Sequence, residues 1–257
     1  MRIVTVAMAL GFSWSLIEAR AQEEASPPKS LAQAKAEFAK VDEQLNRAYA
    51  ETKQALPDYA FEELKKDQRQ WIQIRDQRAA TTVAYEDRQT PEGKEQQSAT
   101  YWEALKYLTE TRIEILRGWR GVGDPDSWTG RYIDGNGGLL EIVEEGNKIF
   151  FTLQVVRGPT YHTGAIAGEA KKNQTMARHS DATRPEAGKP ADAGETWLTF
   201  VKRGRWLEII GANTMYYHGA RAYFDGKFIR VAAFDEKQKE QVLKDASNPD
   251  WPATDAE

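Results

Sequence analysis

Gly121-Val122-Gly123-Asp124-Pro125-Asp126-Ser127 holds two glycines, a proline and two aspartates. Neither a helix interior nor a central strand tolerates that composition. The spacing of apolar residues changes across it. Before it, they recur every third or fourth residue; after it, they come in short β-prone runs between turn residues. The change predicts an α+β chain of two domains, an N-terminal antiparallel three-helix domain followed by an antiparallel β-barrel or β-sandwich.

Backward from that divide, Ser30-Leu31-Ala32-Gln33 has the form of a capping box, which starts a helix. Leu31, Ala34, Phe38, Val41, Leu45, Ala48 and Leu56 then mark one helical face. Pro57-Asp58 breaks the run and opens a second helix carrying Phe61, Leu64, Trp71, Ile72 and Ile74 to about Tyr85. Thr90-Pro91 predicts the start of a third helix, ending at Arg117 with Gly118 as its C′ residue. The helical domain is thus expected over 31–118 and a linker over 119–127.

Forward from the divide, strands are expected between 128 and 234, roughly seven or eight of them. Asp134-Gly135-Asn136-Gly137-Gly138 reads as a hairpin turn. Lys171 to Glu195 reads as one long polar loop, and 235–257 as a charged tail. Trp119, Trp128, Trp197 and Trp206 are expected to fill the β core.

Composition removes several function classes. The 257 residues include no cysteine, so disulfides, thiolate metal sites and a cysteine nucleophile are excluded. The formal charge of −4 is spread without a basic face, which argues against nucleic-acid binding. No G-x-S-x-G elbow or phosphate-binding loop is present. His162, His179 and His218 are too few to predict a metal centre, so no metal and no cofactor is expected. Tyr161-His162 and Tyr217-His218 recur in similar settings and read as a polar strand-end rim. Nothing here predicts an enzyme.

Met1-Arg2, the apolar run Ile3 to Ile17 and Ala19-Arg20-Ala21 have the order of a secretory signal peptide, 1–21, cut before Gln22. A polar tether, 22–30, follows. The run is too short to span a bilayer, and no cysteine follows it to carry a lipid. The expectation is a periplasmic or secreted protein with no stable membrane insertion after cleavage. Losing Arg2, Arg20 and Glu18 takes the formal charge from −4 to −5.

The helical half resembles a known family. Asp42-x-x-Leu45-Asn46-x-x-Tyr49, then Gln68-Arg69-x-Trp71-x-x-x-Arg75-Asp76, then Thr109-x-x-Arg112, look like the LprI-type lysozyme-inhibitor N-terminal domain. The β half resembles, more weakly, uncharacterised C-terminal domains found beside it, through Tyr217-His218-Gly219-Ala220 and Phe224-Asp225-Gly226-Lys227-Phe228. The resemblance implies an envelope or secreted, non-enzymatic protein and, as partner, lysozyme or another cell-wall hydrolase. Family members usually carry cysteines near the end of the second helix and in the third. Ala79 and Ala104 stand at about those positions here.

Read physically, the motif is a scaffold: a packed hairpin sets Arg75 against Asp42, with a buried Trp71 between them. Lysozymes are typically cationic with an acidic cleft, so an acidic chain is steered toward them. A projecting cation would then enter the cleft. Arg157, Tyr161 and His162 in one loop, Arg178, Arg184 and Lys189 in the long loop, and His218 at the rim are the candidate binding residues. Two other readings stand beside this one. The β-barrel mouth of an envelope module binds a glycan, lipid or small ligand, or the helical half docks to a partner helix in an assembly.

Overall fold

A computed structural model describes residues 29–158, 162–182, 189–190, 194–248 and 251. The expected signal peptide, most of the tether, Tyr161 and Arg184 lie outside the described residues.

Helix α1, Leu31–Ala55, starts from the Ser30 capping box: Gln33 N donates to Ser30 Oγ, and Ser30 N donates to Gln33 Oε1. It buries Ala34, Val41, Leu45, Ala48 and Thr52. Helix α2, Asp58–Glu86, buries mostly small or polar residues (Ala60, Gln68, Ala79, Thr82) and leaves Ile72 and Ile74 exposed. Helix α3, Ala99–Arg120, is the axis of the domain. α1 lies closest to it, and Thr52 Oγ1 donates to Leu116 O across the contact at 3.2 Å. Ala79 and Ala104 pack in one apolar cluster with Val83, Tyr101, Leu105 and Trp102. Packing therefore holds the two helices together where the resemblance implies cysteines.

Both expected ends of α3 are corrected. Thr90-Pro91 does not start it. Thr90 Oγ1 and Ser98 Oγ both donate to Asp87 Oδ2, at 2.7 and 2.6 Å, which closes a loop containing a 3-10 turn at Glu95–Gln97. Ser98 is the cap, accepting from Thr100 N. At the other end the helix runs through Gly118 and stops at Gly121, whose φ of 92° only glycine adopts readily. Gly118 is buried where α3 meets the barrel. A Cβ there would stand 2.8 Å from Arg230 O and 2.9 Å from Ile229 Cγ1.

Eight antiparallel strands form a closed barrel in simple sequence order. They are β1 Gly130–Ile133, β2 Leu139–Glu145, β3 Lys148–Arg157, β4 His162–Asn173, β5 Met176–Ser180, β6 Trp197–Arg203, β7 Trp206–Ala212 and β8 Gly226–Ala232, which pairs back with β1. Alternate residues point inward, and Phe151, Phe200, Phe224 and Phe228 fill the interior with Leu140, Ile142 and Leu198. The expected loop at Lys171 to Glu195 therefore contains the end of β4 and all of β5. β5 hides in the sequence because its inward residues are Ala177 and His179, which give no apolar alternation.

The two halves share a core. Ile113, Ile115, Leu116 and Trp119 of α3 cluster with Ile133 and Ile229 on the outer wall of the barrel. Trp119 meets Trp206 edge-on at 5.3 Å. Trp119 and Trp128 are buried, but Trp197 lies on the outside of the barrel, against the expectation. The divide is strapped down as well. Lys202 Nζ donates to the Asp126 and Ser127 carbonyls, and Arg230 to those of Asp124 and Ser127. The C-terminal segment forms α4, Glu236–Ala246, capped by Asp235 and burying Val242 and Ala246 against β2, β3 and β4. Among the described residues no helix is long and apolar enough to cross a membrane.

Candidate functional site

The motif residues of the helical half converge on one seam between the three helices. Gln68, Trp71 and Arg75 fall three and four residues apart on α2, so they share a face. Arg112 of α3 rises beneath them. Its Nε donates to Gln68 Oε1 at 2.7 Å, and its Nη2 lies 2.6 Å from Asp67 Oδ2. Burial pulls the Arg112 pKa down, and the Asp67 carboxylate opposes that shift. A guanidinium starts so high that it stays charged. The Trp71 ring lies between two guanidinium groups, with Arg75 5.2 Å and Arg112 5.5 Å from its centroid. Arg75 also faces the Phe38 ring at 5.7 Å, and its Nη1 is 3.7 Å from Asp42 Oδ1.

Arg75 thus faces Asp42, but Trp71 is only half-buried, which corrects its expected place in the core. The seam is an aromatic–cation stack. Leu45 and Thr109 are buried, with Thr109 Oγ1 donating to Leu105 O, and Tyr49 packs on Phe61. Asp76 is exposed and accepts from Arg75 Nε at 2.8 Å. Asn46 and Arg69 are exposed, and neither side chain makes a hydrogen bond or ion pair among the described residues. They are the motif positions that packing does not explain. Sequence reasoning missed Asp67, one of several acids on an exposed-looking helix stretch.

The barrel residues expected to project do not form one surface. Arg157 is buried and paired with buried Asp134 at 2.5 Å. It also donates to Asp225 O and lies 4.9 Å from the Tyr223 ring centroid. Asp134 in turn accepts from Asn136 N and Gly138 N, so the Asp-Gly-Asn-Gly-Gly turn is clamped to β3. Lys189 is equally buried. It pairs with Asp181 and donates to Thr196 Oγ1. Asp181 also accepts from Thr196 N and the Tyr217 hydroxyl. Burial pushes the Asp181 pKa up, but Lys189, Thr196 and Tyr217 together outweigh it and hold the carboxyl below its ordinary value. Both cations are internal clamps.

Arg178 is exposed, but on β5 with its guanidinium 5.6 Å from the Trp197 ring centroid. His162 is half-buried opposite Arg157 in the β3–β4 ladder. The His218 ring packs edge-on against Phe224, and its Nε2 is 3.1 Å from Thr214 Oγ1. A bridge to Gly164 ties His218 to β4. Among the described residues no group of three or more His, Asp or Glu is placed to hold a metal ion.

No curated protein and no solved structure matches the chain. The model of the family described as "Lysozyme inhibitor LprI" matches residues 18–116. That range takes in α1, α2 and nearly all of α3, with every residue of the Trp71 seam. Over that range the helical half is similar to the LprI lysozyme-inhibitor family, and a C-terminal β-barrel follows it.

Proposed function

We propose that this protein is exported and acts, without catalysis of its own, as a lysozyme-inhibitor-like protein that binds a cationic lysozyme or a related cell-wall hydrolase. The observation that carries this reading is the family match over the helical domain. The chain's acidic balance supports it by favouring encounter with a cationic partner. Arg157 and Lys189 are bound internally, so the contact surface is assigned to the exposed faces of α1 and α2. Asn46 and Arg69 are its named residues.

The test is turnover of a cell-wall substrate by several lysozymes with the chain, freed of residues 1–21, added in increasing amount. Stoichiometric inhibition is expected. Asn46→Ala with Arg69→Ala should weaken it by about tenfold, as for loss of one or two interfacial polar anchors, without changing the melting temperature. Undiminished turnover by every lysozyme at micromolar excess overturns the proposal.

A further inference from the structure

The barrel is closed but not evenly laced. β4 and β5 pair only at Lys171–Arg178, Lys172–Ala177 and Asn173–Met176. Beyond that they part, and a cleft of about 440 Å³ opens between them. The other half of β4 is bonded to the 217–219 segment through the Gly164–His218 bridge and Gly219 N donating to Thr163 O. Ala246 at the end of α4, Ser247, Asn248 and Trp251 line the outer side of the opening.

Three features mark this cleft. First, Lys171 and Arg178 stand directly opposite each other across the ladder, and both are exposed. Like charges in that position repel, and neither has an ion-pair partner among the described residues. The nearby carboxylates are engaged elsewhere, Glu169 by Lys148 and Asp181 by Lys189. Second, His179 is buried and lines the cleft, yet only one ring nitrogen is used. Its Nδ1 lies 2.7 Å from Glu169 O, a carbonyl that can only accept, so Nδ1 carries the proton. Nε2 is then a bare acceptor, and it has no partner. Burial lowers the pKa of the ring, which keeps it neutral. Third, the ring is seated directly on the Gly168 backbone, where a Cβ would be 2.8 Å from His179 Cε1, so only glycine leaves room for it at the cleft.

We propose that the β4–β5 cleft binds a small hydroxylated acid of the sugar-acid class, with its carboxylate on Lys171 and Arg178 and a hydroxyl or amide N–H donating to His179 Nε2. The volume suits a monosaccharide rather than a bare inorganic anion. The half-buried Trp251 offers an apolar ring face for the sugar's C–H groups. This site is on the barrel wall, and it stands or falls independently of lysozyme binding by the helices.

Calorimetric titration of the chain with N-acetylmuramic acid and glucuronic acid tests it, with N-acetylglucosamine and inorganic phosphate as controls. Saturable millimolar or tighter binding of an acid is expected. The neutral sugar, and the Lys171→Gln/Arg178→Gln variant titrated with the acid, should each bind about tenfold more weakly, the loss of a charge-assisted contact. Both substituted positions are exposed, so folding is not at risk. On wild-type protein, the His179 Nε2 nitrogen resonance should shift on saturation by the acid. No binding of either acid, equal binding by the double variant, or phosphate binding as tightly as the acids overturns the proposal.

Discussion

Asp42–Arg75 and Asp134–Arg157 are the same kind of pair at two depths. In the helical half the Asp42 side chain is 41% exposed and its arginine leans on aromatic rings at 3.7 Å from the carboxylate. In the barrel both partners are nearly sealed, at 6% and 4% exposure, and the carboxylate also holds two backbone N–H groups. Solvent screens the first pair and cannot reach the second. The spacing of residues along α1 and α2 points to the pair of smaller consequence. The pair that matters more joins residues read separately, one as a turn former and one as a projecting cation.

The largest expected effect sharpens that contrast. Asp134→Ala leaves Arg157 buried without its countercharge and frees the turn, and should destabilise the protein by about 3–5 kcal/mol. The urea unfolding midpoint measures it. Replacing both partners, Asp134→Leu with Arg157→Met, should recover the part of the loss that comes from the isolated charge, while the turn N–H groups of Asn136 and Gly138 stay without their acceptor. If Asp134→Ala costs no more than a surface substitution, the two halves do not differ in the way described.

Trp71 comes next. A fully buried Trp71 would cost about 3–5 kcal/mol on truncation. Half-burial between Arg75 and Arg112 reduces the expected cost of Trp71→Ala to about 2 kcal/mol, part apolar area and part cation–π attraction. Trp119→Ala, at the junction with Trp206, should exceed it. Equal losses at the two tryptophans would place Trp71 in the core after all.

What could be read beforehand follows from which physical signal is local. The Ser30 capping box, the Pro57 break and the three-and-four spacing of α1 are properties of adjacent residues, and they place the helices. The turns at Asp134–Gly138 and around Gly146 and Gly204 mark most of the barrel in the same way. β5 was invisible because Ala177 and His179 supply its inward face. Thr90 misled because its hydroxyl is spent on Asp87, a choice set by the distant Ser98. The cleft was illegible for a similar reason. His179, Lys171 and Arg178 acquire meaning only once β4 and β5 separate.

Gly118 tests the junction between the halves. A glycine beyond a helix end accepts alanine only with strain if φ is positive, whereas a glycine inside a helix gains about 1 kcal/mol from alanine when space allows. Here space does not allow it, because the new Cβ would press on Arg230 O and Ile229. Gly118→Ala should therefore destabilise by about 1–2 kcal/mol net of the propensity gain. It should also alter the fluorescence of the neighbouring Trp119–Trp206 pair. A stabilised variant with unchanged emission would mean that α3 and β8 do not touch at this point.

The smallest effect closes the comparison from the other side. Asp42→Asn removes the charge opposite Arg75 and keeps the shape. Arg75 retains Asp76 at 2.8 Å and two aromatic faces, and the Asp42 carboxylate is already wet. The expected cost is below about 1 kcal/mol, and it should shrink further in high salt because the interaction is exposed. The two aspartate variants differ in partner depth far more than in chemistry. A several-kilocalorie loss at Asp42 that persists in high salt would require a seam sealed as tightly as the barrel, with Trp71 and Arg75 withdrawn from solvent.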